Sequence, residues 1–169
     1  MRKEQSFLEE KLKKIDWRAY GKVDVSELSQ ELLKLGYHIN DLQKDFLIKY
    51  ATIEFNFPNP KLKKGINDLI RLRNPEHKFD VSLEKKYRPS FDPLEAATSI
   101  LRYVIEEYEN GIGKKLLIIG QLENENISLF ISEDGYFYGG FDENIIEYGN
   151  SFEKMIYTLW QDLSIAVQK

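Results

Sequence analysis

The chain has 169 residues and a net charge of −4, and its length suits one domain that buries a core of its own. A composition of 42% hydrophobic and 31% charged residues is typical of a globular protein and excludes a disordered one. The absence of cysteine excludes disulfides, thiolate metal ligands and cysteine nucleophiles.

The first fifty residues predict three helices. Residues 3–15 have apolar side chains at helical spacing, namely Phe7, Leu8, Leu12 and Ile15. A second helix follows the capping residue Asp24 and ends at Gly36, with an apolar face of Leu28, Leu32 and Leu35. The third begins at a capping box of Asn40 and Gln43, and its predicted buried stripe is Leu42, Phe46, Leu47 and Tyr50.

A strand and a long basic segment are expected next. Residues 52–57 alternate between apolar and polar, which is typical of a strand, and Pro58 ends it. From residue 61 to residue 88 there are nine Lys or Arg against four Asp or Glu, with weak periodicity. We interpret residues 58–90 as a basic, partly mobile insertion within a single domain that spans residues 1–169.

The second half predicts a helix, a run of strands and a closing helix. Asp92, Pro93 and Glu95 form a strong helix start, and Gly111 ends the helix. Its predicted continuous apolar face is Leu94, Ala97, Ile100, Leu101, Val104, Ile105 and Tyr108. Strands are expected at 116–119, at 127–132, at 136–138 after the tight Asp134-Gly135 turn, and at 144–148. The last helix opens at Ser151 and buries Phe152, Met155, Ile156, Leu159, Trp160 and Leu163.

Strands that cluster together with short hairpins indicate an α+β fold. We expect three or four strands in a central antiparallel sheet, flanked by the N-terminal helices, a middle helix and a C-terminal helix. No repeated strand–helix alternation points to a parallel sheet.

The sequence offers little for catalysis. His38 and His77 are the only histidines, and neither has a nucleophile or a set of metal ligands at a recognisable spacing. Gly111-Ile112-Gly113-Lys114 follows a helix, whereas a phosphate loop follows a strand, so we interpret it as a helix stop. We therefore predict no catalytic residue, no metal and no cofactor, and a protein that acts by binding.

The charge is unevenly distributed. Residues 1–89 carry 19 Lys and Arg against 14 Asp and Glu, whereas residues 90–169 carry 5 against 14. Between residues 116 and 153 there is no Lys or Arg, and eight acids occur: Glu123, Glu125, Glu133, Asp134, Asp142, Glu143, Glu147 and Glu153. A surface of one sign repels nucleic acid and attracts basic partners, although a solvated face that only aids solubility explains it equally well.

Aromatic residues lie among these acids, and they suggest a protein interface. Phe130, Tyr136, Phe137, Tyr138, Phe141 and Tyr148 all fall within the acidic stretch. Tyr136 and Tyr138 share one strand face, which either contributes to an interface or lies beneath a covering helix. The predicted contact residues are Glu123, Glu125, Glu133, Asp134, Tyr136, Tyr138, Asp142 and Glu143.

The order of these features resembles the SUKH superfamily, whose name refers partly to yeast cell-wall regulators of the SMI/KNR type, and in particular its third branch. The motifs are Trp17 with Gly21-Lys22-Val23-Asp24, Phe46-Leu47 before the strand at 52–57, Leu117-Ile118-Ile119-Gly120, Leu129 to Gly135, and Tyr148-Gly149-Asn150-Ser151. They span residues 14–163. Tyr50-Ala51-Thr52 departs from the family pattern of an aromatic residue and two glycines, which affects the geometry of that turn.

This resemblance implies a bacterial immunity protein that binds and blocks a cognate toxin domain, often a nuclease, through the basic surface of that domain. The alternatives are a regulatory scaffold of the cell-wall signalling type and, third, an enzyme acting on a small molecule. The basic stretch 61–88 suggests direct nucleic-acid binding as a further alternative, but the pI near 5.4 argues against it. No apolar run approaches the ~20 residues of a membrane helix, so we expect a cytoplasmic protein, either a monomer or a homodimer.

Overall fold

A computed structural model describes residues 17–19, 23–51, 53–55, 57–58, 86–87, 89–122, 127–161 and 165–166. Within these ranges the chain forms five helices and an antiparallel sheet, which confirms the predicted α+β class. The predicted first helix at 3–15 and most of the basic insertion at 58–90, including His77, lie outside the described residues.

The strands form one large sheet and one small ribbon. In chain order they are β1 (Trp17–Ala19), β2 (Ile53–Phe55), β3 (Phe57–Pro58), β4 (Lys86–Tyr87), β5 (Pro89–Ser90), β6 (Leu116–Leu122), β7 (Ile127–Ser132), β8 (Phe137–Phe141), β9 (Asn144–Gly149) and β10 (Ile165–Ala166). The large sheet has the order β1-β2-β5-β6-β7-β8-β9-β10, and every neighbouring pair is antiparallel. β3 pairs with β4 separately. The sheet is thus wider than the three or four strands that the sequence predicts.

The four long strands β6 to β9 form the centre of the sheet as an antiparallel meander. β6 and β7 are buried along nearly their whole length. In β6 both faces are apolar, as the run Leu116–Ile119 predicts, whereas one face of β7 also buries Ser128 and Ser132. The pairing register shifts at Ile119 in β6 and at Tyr148 in β9, where one strand has an extra residue.

The first two described helices begin as predicted. α1 (Val25–Lys34) is capped by the carboxylate of Asp24, which accepts hydrogen bonds from the amides of Ser26 and Glu27. α2 (Asp41–Tyr50) has the full capping box. In it, the Gln43 amide donates to Asn40 Oδ1 at 2.9 Å, and the Asn40 amide donates to Gln43 Oε1 at 3.0 Å.

Two of the predicted buried side chains on these helices are exposed. Leu28 and Leu32 of α1 and Phe46 and Leu47 of α2 are buried, as predicted. Leu35 is 48% exposed and Leu42 is 44% exposed, so these two predictions are wrong. Leu35 comes after the last helical residue of α1, and Leu42 lies in the first turn of α2 near a sheet turn, so neither reaches the core.

The predicted middle helix is two helices. α3 (Pro93–Ser99) begins at Asp92 as expected, but it ends before Ile100, whose backbone is extended at φ −136° and ψ 137°. Two hydroxyls near its end donate to the Glu95 carbonyl, from Thr98 at 2.7 Å and from Ser99 at 3.4 Å, and such bonds compete with helix continuation.

The second of these helices, α4 (Arg102–Ile112), ends at the left-handed Gly113 and not at the predicted Gly111. Leu101, which the sequence places on the buried face, is 64% exposed at the break.

The closing helix joins the sheet to α2 through aromatic contacts. α5 (Phe152–Gln161) begins after Ser151, whose hydroxyl accepts from the Lys154 amide at 3.1 Å, and it buries Phe152, Met155, Ile156 and Leu159. The ring centroids of Phe46 and Phe152 are 5.6 Å apart, and those of Phe46 and Phe137 are 5.5 Å apart. The side chain of Trp160 and all of Leu163 lie outside the described residues.

Candidate binding surface

The acidic residues predicted to form one surface lie at two opposite ends of the sheet. Glu133, Asp134 and Gly135 join β7 to β8 and are called here the Asp134 turn. Asp142 and Glu143 join β8 to β9 and are called the Asp142 turn. Because β8 runs between them for five residues, the two turns are separated by roughly 17 Å of strand.

The Asp134 turn is a three-residue hairpin loop. The Gly135 amide donates to the Ser132 carbonyl at 3.0 Å, and the Ser132 amide donates to the Tyr136 carbonyl at 2.8 Å. Gly135 has φ +86°, a backbone conformation that a side chain disfavours, which explains the predicted Asp-Gly signal.

Helix α2 holds this turn from one side. Asn40 Nδ2 donates to the Glu133 carbonyl at 2.7 Å, and Gln43 Nε2 donates to the Ile131 carbonyl at 3.1 Å. Leu42 also covers Gly135, where an added Cβ would lie 3.2 Å from Leu42 Cδ1. The capping residues of α2 therefore also fix the position of the turn.

Lys114 compensates the charge of Asp134. Lys114 Nζ lies 2.8 Å from Asp134 Oδ2, donates to the Tyr138 hydroxyl at 3.3 Å, and lies 4.1 Å from the centroid of the Tyr136 ring. The hydrogen bond to Asp134 raises the pKa of Lys114. Partial burial acts to raise the pKa of Asp134, but the hydrogen bonds from Lys114 and Ser132 outweigh it and keep that pKa below its ordinary value.

The remaining predicted residues at this end differ in accessibility. Glu133 is exposed, and its Oε1 accepts from the Lys115 amide at 3.4 Å. Tyr136 is half-buried beneath Lys114, and Tyr138 is only 2% exposed, with a pKa raised by burial. The strand face that carries Tyr138 is thus covered, and Tyr138 is not available as a surface contact.

The Asp142 turn contacts helix α4. The Tyr108 hydroxyl donates to the Asp142 carbonyl at 2.7 Å, and Phe141 pairs with Asn144 across the turn. Burial raises the pKa of Tyr108, and the carboxylates of Asp142 and Glu107 raise it further. Asp142 and Glu143 at the turn and Glu107 on α4 are therefore exposed acids on neighbouring elements.

These three acids are uncompensated within the described ranges. Asp142, Glu143 and Glu107 make no ion pair with any described residue, whereas the neighbouring Glu106 lies 3.9 Å from Arg102 Nε. The two ends of β8 thus differ: Asp134 is paired with Lys114, whereas the acids of the Asp142 turn have no ion pair among the described residues.

A separate acid in α4 belongs to the interior. Glu109 is 4% exposed, and its carboxylate accepts from Arg102 at 3.1 Å, from Lys115 Nζ at 2.8 Å and from the Leu116 amide at 3.0 Å. Burial acts to raise the pKa of Glu109, but these donors outweigh it and hold the pKa below its ordinary value. This carboxylate ties α4 to the start of β6 and is not available to a partner.

Several predicted features fall elsewhere. Glu123 and Glu125 lie outside the described residues. His38 is exposed, and in the part of the chain that the structure describes no three His, Cys, Asp or Glu side chains come together as metal ligands would. None of the helices in the same ranges is both long and apolar enough to cross a lipid bilayer.

The sequence analysis missed the roles of Lys114 and Glu107. Lys114 lies two residues before the lysine-free stretch begins, but antiparallel pairing of β6 and β7 brings the start of β6 beside the end of β7. The sequence already contained this signal, because the strands at 116–119 and 127–132 are consecutive strands of one predicted antiparallel sheet. Nothing in the sequence indicates that Glu107 lies near Asp142, because that proximity depends on how α4 packs on the sheet.

The model of the SUKH-3 immunity protein family matches residues 6–162. The chain belongs to that family. No curated protein and no solved structure matches the chain. The SUKH-3 match includes every described helix and all the described strands except β10, so the Asp134 and Asp142 turns both lie within the family domain.

Proposed function

We propose that this SUKH-3 chain is a bacterial immunity protein that binds a cognate toxin domain at the Asp142 turn. The observation that supports the site is that Asp142, Glu143 and Glu107 are exposed and make no ion pair with any described residue, and exposed acids attract an opposite charge. Glu133, Asp134 and Tyr136 belong to the less favoured end, where Lys114 already compensates the charge of Asp134.

The proposed partner is a basic toxin domain of the nuclease class. A protein that holds nucleic acid neutralises phosphates with Lys and Arg and is therefore basic at its active surface. An acidic surface that covers it would exclude the nucleic acid and would associate rapidly because the opposite potentials steer the encounter. Binding of this kind requires no catalysis by the immunity protein, and it would take place in the cytoplasm, where the nucleic acid lies.

The first experiment identifies the partner. The full chain, tagged at its N-terminus, is used to recover bound protein from a lysate of the native cells, with a wash at moderate salt and identification by mass spectrometry. We expect near-stoichiometric recovery of one protein with a basic C-terminal toxin domain. That domain is then expressed in a neutral host with and without the chain, and growth is measured.

The outcomes separate binding from other roles. Growth arrest by the domain alone and normal growth with the chain would support the immunity function. Recovery of nucleic acid or a small metabolite without a toxin domain would contradict it, as would a toxin domain whose arrest the chain does not relieve.

A further inference from the structure

A buried tyrosine of α4 connects that helix to the Asp142 turn. Tyr108 is 1% exposed, and its hydroxyl donates to the backbone carbonyl of Asp142 at 2.7 Å. That carbonyl lies in the turn, beyond Phe141 and Asn144, which are the last paired residues of β8 and β9. The hydrogen bond therefore ties the backbone of the turn to the helix and is not part of the pairing between the strands.

The sequence of β8 makes room for the Tyr108 ring. A Cβ added at Gly140 would lie 2.5 Å from Tyr108 Cε2 and 3.0 Å from Phe130 Cε2, so a side chain there would displace a buried ring. The rings of Tyr108 and Phe130 also pack edge to face, with their centroids 6.0 Å apart. Packing against both residues holds the Tyr108 ring, which directs its hydroxyl at the turn that begins two positions after Gly140.

Tyr108 lies between the acids of the proposed toxin site. Burial raises the pKa of Tyr108, and the carboxylates of Asp142 and Glu107 raise it further, so both carboxylates lie near its hydroxyl. Glu107 is adjacent to Tyr108 in α4, but it is exposed because consecutive helical residues do not share a face. One buried side chain thus joins an acid of the helix to the acids of the turn.

We propose that Tyr108 is a positioning residue for toxin binding, because its hydroxyl holds the Asp142 turn in the conformation that binds. Asp142 has φ +50°, a conformation that persists only where the surrounding structure holds it. A turn that is already ordered in the free chain loses less conformational entropy on binding, which strengthens binding without a new contact. This inference rests on the proposed toxin site. Tyr108 itself is buried and acts through the residues of the turn.

The first test measures the order of the turn in the full chain without a toxin. Backbone amide order parameters are measured by NMR for the wild type and for Tyr108→Phe, which keeps the ring and removes only the hydroxyl. We expect values of about 0.85 at Asp142 and Glu143 in the wild type, as in β8, and a fall toward about 0.6 in the variant. A turn that is mobile in the wild type, or that stays equally ordered in Tyr108→Phe, would overturn the proposal.

The second test is a double-mutant cycle on the affinity for the recovered toxin domain. We expect Tyr108→Phe to raise the dissociation constant at least about fivefold in the wild-type background. In a chain that already carries Asp142→Asn and Glu143→Gln, the same change should raise it less than about twofold, because Tyr108 acts through those carboxylates. A merely structural role would weaken binding equally in both backgrounds.

The matched control is Tyr138→Phe. It removes the hydroxyl of another buried tyrosine, which is 2% exposed and accepts from Lys114 near the opposite end of β8. Tyr138→Phe should leave the affinity for the toxin domain unchanged. Thermal unfolding verifies that each variant is folded at the temperature of the binding measurement, and the order parameters of the wild type do not depend on any variant.

The outcomes separate this inference from the proposed function. An effect of Tyr108→Phe that disappears in the charge-neutral background, with unchanged affinity in Tyr138→Phe, would support the inference. An equal effect in both backgrounds would overturn it, as would full affinity of Tyr108→Phe when Asp142→Asn with Glu143→Gln weakens binding; the proposed site would then still stand. Full affinity of the charge-neutral chain would overturn the proposed site, and this inference with it.

Discussion

At the scale of single residues, Asp142 has a backbone conformation that its side chain does not favour. It has φ +50°, and it is the only non-glycine residue with positive φ among those that the structure describes. Asp and Asn tolerate this region better than most residues, but Gly is easier still. The turn alone therefore accounts for Asp, Asn or Gly at this position and does not by itself require a charge.

A substitution series at Asp142 separates the turn from the charge. Asp142→Asn should leave the free energy of unfolding nearly unchanged, because Asn also accepts positive φ. Asp142→Val should lower it by about 1–2 kcal/mol, because a β-branched side chain is strained there. Urea unfolding measures both variants. If Asp142→Asn destabilised the protein as much as Asp142→Val, the carboxylate would have a structural role that this account does not include.

At the scale of secondary-structure elements, the start of the meander depends on a close backbone approach at Gly120. A Cβ added at Gly120 in β6 would overlap the carbonyl oxygen of Ser90 in β5 and lie 2.9 Å from the Cα of Phe91. Backbone atoms cannot move aside as flexible side chains can. The family-like Leu117-Ile118-Ile119-Gly120 motif thus has a packing reason in this chain.

Gly120→Ala should lower the free energy of unfolding by about 3 kcal/mol, as overpacking of a tight interior does. The control is Gly113→Ala, at the end of α4, where an added Cβ would have no neighbour within 4 Å and only the positive φ of +72° opposes it. Gly113→Ala should therefore cost less, about 1 kcal/mol. Equal effects in denaturant unfolding would contradict the close approach of β5 and β6.

The buried carboxylate of Glu109 links α4 to β6, and its contribution should depend on pH. The folded-state pKa is depressed, so the stabilisation is fully present above the unfolded-state pKa of about 4.3 and is lost as the pH falls through the folded-state value. Glu109→Gln removes the buried counter-charge of Arg102 and Lys115 and leaves Arg102 only the exposed Glu106, which should cost about 3 kcal/mol at pH 7.

The measurement is the difference in unfolding free energy between wild type and Glu109→Gln at pH 7 and at several values below pH 4.3. This difference in unfolding free energy should become smaller as the pH falls. Glu106→Gln is the control, since Glu106 is an exposed partner of Arg102 and should change stability by less than about 1 kcal/mol. A pH-independent difference for Glu109→Gln would contradict the assigned charge network.

At the scale of the whole molecule, the features that were predicted correctly are those decided by residues close together in the chain. The caps at Asp24, Asn40 and Asp92 and the hairpin at Gly135 were correct because each is decided by residues a few positions apart. The central meander was correct because β6 begins with an apolar run and the Asp134-Gly135 turn marks the hairpin of β7 and β8.

Features that depend on packing between distant segments were not predictable from local patterns. The break at Ile100 and the short outer strands such as β1 and β10 are of this kind. The candidate site is the clearest case, because its acids are close in sequence but lie at opposite ends of β8. A charge count along the chain cannot separate them, whereas the pairing of β7, β8 and β9 does.

The most direct test of this account is the affinity of the recovered toxin domain for charge-neutral variants at the two ends of β8, measured by calorimetry at moderate salt. We expect Asp142→Asn combined with Glu143→Gln to weaken binding at least about tenfold, or about 1.4 kcal/mol, with less dependence on salt. Asp134→Asn, whose acid is already paired with Lys114, should weaken it far less. Unchanged affinity in the double variant, or a greater loss in Asp134→Asn, would contradict the assignment of the toxin site to the Asp142 turn.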